Sequence, residues 1–88
     1  MDTEYKIAEW LLVNEQAVKA DVRMRSAYRK AATLNKEEAC EFVLNNLKYI
    51  IKEYNKQMDL FDIEAALNDE RVAIIVNKYY LKDWVYEH

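Results

Sequence analysis

Glycine and proline are both absent from the 88 residues. Without them the chain lacks the usual residues for positive φ, for two-residue hairpin turns and for fixed tight bends, so all-β folds are disfavoured. Glycine-built phosphate cradles are excluded as well: no Walker, dinucleotide-binding or kinase-type loop can be written. Cysteine occurs once, at Cys40, so no intrachain disulfide can form. Asp2 and Glu4 stand beside Met1 where a secretory signal would place basic residues before an apolar run. A reducing, cytoplasmic location is the expectation. The one histidine is His88, and with no His-x-x-x-His or Glu-x-x-His pair the usual helical zinc and di-iron patterns fall away.

What is present describes a soluble globular chain. Apolar residues make up 52% and charged residues 33%, too hydrophobic for intrinsic disorder and too interrupted by charge for a membrane span. A chain of this size loses about 64% of its unfolded surface on folding, enough for one modest core, and residues 1–88 are expected to form a single helical domain. Thirteen Lys and Arg against sixteen Asp and Glu leave a net charge of -3, which opposes whole-molecule attraction to nucleic acid or anionic membrane. The charge is unevenly distributed. Lys19, Arg23, Arg25, Arg29, Lys30 and Lys36 fall in one stretch with Asp21 alone, whereas Asp59, Asp62, Glu64, Asp69 and Glu70 fall in another without a base.

Capping chemistry marks the helix starts. Asn35 with Glu38 three residues on imitates a capping box, Asn14 precedes Glu15 and Gln16, and Asp59 and Asp62 offer alternative starts for a last helix. From Lys36 to Met58 a 3.6-residue period puts Ala39, Val43, Leu47, Ile50, Ile51, Tyr54 and Met58 on one face, with Glu41, Asn45, Lys48, Lys52 and Lys56 opposite. Ala17, Ala20, Met24, Ala27, Tyr28 and Ala31 form a stripe of mostly small residues, suited to close helix approach. Ile7, Leu11, Val18 and Val22 form another stripe, and the change of face predicts a break near Asn14. At the end of the chain Ile63, Leu67, Ile74, Leu81 and Val85 keep helical register. The β-branched run from Val72 to Val76 admits an alternative, a C-terminal hairpin turning at Asn77 and Lys78. The expected architecture is all-α, a bundle of three to five helices.

No catalytic, cofactor or metal constellation emerges. Cys40 shares a face with Val43 and Leu47, and Glu37, Glu38 and Glu41 would raise its thiol pKa, so it reads as a structural cysteine. The carboxylates Glu37 with Glu41 and Asp59 with Asp62 lack an oxygen-rich calcium loop and read as helix capping and solubility. The expectation is a non-catalytic protein-interaction or regulatory module that self-associates, a dimer. Its candidate interface is the seam Val72, Ile75, Tyr79, Lys82 and Tyr86, at heptad-like spacing, with Phe42 and Tyr49 two turns apart on the polar side of the Asn35 helix. The alternative is a nucleic-acid-binding protein using Lys19, Arg23, Arg25, Arg29 and Lys30, although no helix-turn-helix signature accompanies them.

Overall fold

The computed structural model describes residues 2–86, with side chains described as far as residue 82. Among these residues the chain is all-α. Helices α1 (Thr3–Val13), α2 (Glu15–Ala20), α3 (Val22–Ala31), α4 (Lys36–Tyr54), α5 (Leu60–Leu67) and α6 (Glu70–Val76) follow one another, and α6 runs on into a π-helical segment, Asn77–Tyr86. Six α-helices exceed the expected three to five, because two aspartates that read as surface charge are helix starts.

Helix beginnings follow one chemistry. Asp2, Asp21, Asp59 and Asp69 accept backbone N–H groups of Tyr5, Arg23, Phe61 and Arg71 at 2.6, 2.8, 3.0 and 2.9 Å. Asn35 Oδ1 accepts from Glu38 N at 2.9 Å, and its Nδ2 also donates to the Glu38 carboxylate. Helix ends follow another. Asn14, Asn55, Asn68 and Asn77 donate Nδ2 to the carbonyls of Trp10, Ile51, Glu64 and Ala73, each four residues back, at 2.9 to 3.0 Å. These bonds occupy terminal carbonyls that a glycine cap would otherwise cover, and no described residue has positive φ. The break at Asn14 occurs where expected, but its side chain closes α1 and makes no cap bond to α2.

One contiguous core draws on every element, centred on Ile7, Leu11, Met24, Val43, Leu47, Ile50, Ile51, Ile63, Val72 and Tyr80. Helix α4 is its spine, packed by α3 and α5. The expected apolar face of α4 is buried from Ala39 to Ile51. Tyr54, at the last turn, is instead 62% exposed and lies against the Trp10 ring, 5.9 Å between centroids. Ile7, Leu11 and Val18 are buried as expected, as are Met24, Ala27, Tyr28 and Ala31. Val22, Ala17 and Ala20 are exposed: the Asp21 cap restarts the helix and turns the stripe away from them.

The C-terminal hairpin is overturned. Val72 and Val76 are buried at 0% and 1% exposure while Ile74 between them is 61% exposed, a spacing of four that a helix satisfies; a strand would put all three on one face. Ile74 is likewise corrected from core to surface, since the break at Asn68 and Asp69 resets the register it was expected to share with Ile63 and Leu67. Leu81 is buried; the side chains of Val85 and Tyr86, and all of His88, lie outside the described residues. The π-helical segment's wider turn rotates the chain less per residue, which keeps Tyr80 in line with Val72 and Val76.

Tyr80 joins the two ends of the sequence. Its fully buried hydroxyl donates to the Leu11 carbonyl, in the last turn of α1. Tyr80→Phe leaves that carbonyl without this donor and is expected to lower unfolding free energy by about 1–3 kcal/mol in urea titration, with secondary structure unchanged. Burial is also the main cause that raises the phenol pKa of both Tyr80 and Tyr28. Unfolding lets these phenols ionise near pH 10, whereas the folded chain keeps them protonated to higher pH. Their contribution to stability is therefore complete below about pH 10 and is lost as pH rises beyond it, by up to about 1.4 kcal/mol per pH unit for each. Absorbance titration should show two tyrosines ionising only with unfolding.

Candidate functional site

Helix α3 contains three arginines and a lysine and no carboxylate. Asp21 caps it and also clamps its first cation. Arg23 Nε meets Asp21 Oδ1 at 2.9 Å, a terminal nitrogen meets Oδ2 at 2.8 Å, and the other terminal nitrogen reaches Glu53 of α4. The hydrogen bonds from Arg23 hold the Asp21 carboxyl below the usual carboxylate range. Lys19, on α2, is committed elsewhere: its Nζ lies 3.1 Å from Glu15 and above the Tyr80 ring, 5.9 Å from the centroid. Arg25, Arg29 and Lys30 are exposed and form no ion pair among the described residues. The five candidate phosphate contacts thus divide into two engaged cations and three uncommitted ones.

Between α3 and α4 runs a groove lined by Val22, Arg23, Ser26, Ala27, Lys30, Phe42 and Asn46. Phe42 is half-buried and forms part of its wall; Asn46 is held by donating to the Phe42 carbonyl at 2.9 Å. A second hollow continues on the far side of Phe42, lined by Leu34, Glu38, Glu41 and Asn45. Phe42 therefore separates a basic hollow from an acidic one. Val22, 76% exposed, supplies apolar surface in the basic hollow. The structure thus brings Phe42, a candidate interface residue, together with Arg23 and Lys30, candidates for a different role.

The other candidates are dispersed. Tyr49 is 53% exposed with Lys48 Nζ 5.2 Å from its ring centroid. Val72 is in the core, Ile75 and Tyr79 are half-buried against it, and Lys82 is exposed. Those positions, on α6 and the π-helical segment, do not form one continuous surface, because Val72 faces inward. Tyr86 lies where side chains are not described. Cys40 is half-buried against the core. Among the described residues no group of three or more His, Cys, Asp or Glu is arranged to hold a metal ion, and no helix is long and apolar enough to cross a membrane.

Two features, an exposed Phe61 and a half-buried Trp10, escaped the periodicity. Phe61 is 75% exposed on α5, and Trp10 helps line a hollow with Lys6, Glu9, Val13, Asn14, Asn55 and Met58. Phe61 carried a readable signal: in a helix that starts after Asp59 and ends at Asn68, Ile63, Ala66 and Leu67 share a face that excludes it. No protein-family model, curated protein or solved structure matches the chain.

Phe42 lies outside the contiguous core, whereas Leu47, on the same helix, is fully buried. Phe42→Ala is therefore expected to cost about 1 kcal/mol or less, against about 2–5 kcal/mol for Leu47→Ala. Thermal melts of the two variants compare them directly, and equal losses would assign Phe42 to the core.

Proposed function

We propose that this chain is a non-catalytic protein-interaction module whose α3–α4 groove receives an acidic helical segment bearing an exposed apolar side chain. The observation that carries this reading is the juxtaposition of apolar groove surface, Val22 and Phe42, with the uncommitted cation Lys30, while Arg25 and Arg29 stand exposed elsewhere on the same helix. Apolar surface contributes affinity when water leaves it, while uncompensated charge selects an acidic partner and speeds encounter. A cytoplasmic setting accompanies this reading, since a sequence with one cysteine forms no intrachain disulfide.

Binding of nucleic acid is the second reading, favoured by Arg25, Arg29 and Lys30 standing exposed on one short helix that itself carries no carboxylate. With three uncommitted cations, log K should fall by about 2 to 3 per tenfold rise in salt, depending on strandedness. The groove argues for protein instead, because phosphate backbones gain nothing from Val22 and Phe42.

Nuclear magnetic resonance titration separates the two. A synthetic helical peptide carrying one phenylalanine among aspartates and glutamates should shift the amides of Val22, Ser26, Lys30 and Phe42. The double substitution Val22→Glu and Lys30→Glu, at two exposed groove positions, should abolish the shifts with the melting temperature retained. Shifts produced by an oligonucleotide and not by the peptide would replace the first reading with the second.

A further inference from the structure

Charge and apolar surface are complementary across this one molecule. On one flank of α4, Glu53 meets Arg23 of α3, and Phe42 and Asn46 wall the basic groove. On the other flank Lys48 lies 3.5 Å from Glu64 of α5, and Leu44 and Lys48 line a hollow with Leu67. Helices α3 and α5 therefore pack on opposite sides of the same spine. The outward side of α5 carries Phe61 at 75% exposure, with Asp62 and Ala65 also exposed. Asp62 forms no ion pair among the described residues, and the one cation that meets Glu64, Lys48, belongs to α4.

We propose that the occupant of the α3–α4 groove is a second copy of this chain, whose α5 inserts Phe61 beside Phe42 and Val22 while the carboxylates next to it face the cations of α3. The inference rests on reading the groove as a protein-docking site and names its partner. Two features support the second copy. The acidic surface that the groove requires exists on the same chain, with an aromatic side chain at its centre that the core does not use. The net charge of -3 makes two copies repel weakly in most orientations, and opposite charges meet when α3 of one faces α5 of the next. Because groove and knob lie on different faces, the contact is heterologous: each copy uses its groove for one neighbour and its Phe61 for another, so assembly continues into chains or closes as a ring.

Complementation between two defective variants tests this arrangement. Phe61→Glu removes the knob and leaves the groove intact; Val22→Glu with Lys30→Glu disables the groove and leaves the knob intact. All three positions are exposed, and circular dichroism melts should match those of the unaltered chain. In sedimentation at low salt and high protein concentration, the unaltered chain is expected to grow in mean mass with concentration and to dissociate as salt rises. Each variant alone should sediment as a monomer. An equimolar mixture should double in mass and grow no further, since only one working groove and one working knob meet. A monomeric unaltered chain at low salt, a variant that still associates by itself, or a mixture that stays monomeric would overturn the proposal. Amide shifts in the groove on adding the acidic peptide would then show whether the docking reading survives without self-association.

Discussion

This glycine-free chain ends its described helices with every residue at negative φ, and much of the structure follows from how that is done. Asparagine side chains take the terminal carbonyls of α1, α4, α5 and α6, and aspartates or Asn35 take the leading N–H groups of α1, α3, α4, α5 and α6. Much of the chain therefore steps around the core as short helices. Asp21 shows how local capping reaches the surface: it starts α3 and holds Arg23, Val22 is exposed, and Arg25, Arg29 and Lys30 are exposed on a helix that carries no carboxylate.

The core depends on a second consequence of the same constraint. Breaking the chain at Asn14 leaves carbonyls at the end of α1, and the Leu11 carbonyl is met by Tyr80 from the far end of the sequence. The π-helical turn that delivers Tyr80 is an additional departure from regular geometry, and it places a large aromatic ring beneath Lys19 of α2. The Tyr80 hydroxyl thus adds a polar tie to the apolar packing of α1 against α5 and α6.

Much of this was legible in the residues, and the illegible parts share a cause. The Asn35 to Glu38 start, the buried face of α4 and the burial of Ile7, Leu11, Met24 and Tyr28 all follow from local periodicity and capping. Asp21 and Asp69 were read as charge, since the arginine two residues beyond each gives no capping-box spacing; the missed starts misplaced Val22 and Ile74. Tyr80 belonged to neither expected stripe, because a π-turn changes the angle per residue. The basic cluster and Phe42 were each visible, but their meeting in one groove is a contact between α3 and α4 that no local period encodes. The heptad-like spacing from Val72 to Lys82 described a surface that the fold divides between core and solvent.

Opposite charges on the two flanks of α4 give the account its functional content, since a neutralised surface would dock neither an acidic helix nor a second copy. The most direct measurement places a spin label at Thr33→Cys, beyond the end of α3, in a Cys40→Ala background, and mixes that chain with an isotopically labelled copy carrying no spin label. The account predicts that resonances of Phe61 to Ala65 in the isotopically labelled copy broaden, that α6 is spared, and that added salt removes the effect. Broadening centred on Ile74 and Tyr79, or none at concentrations where the chains associate, would contradict it.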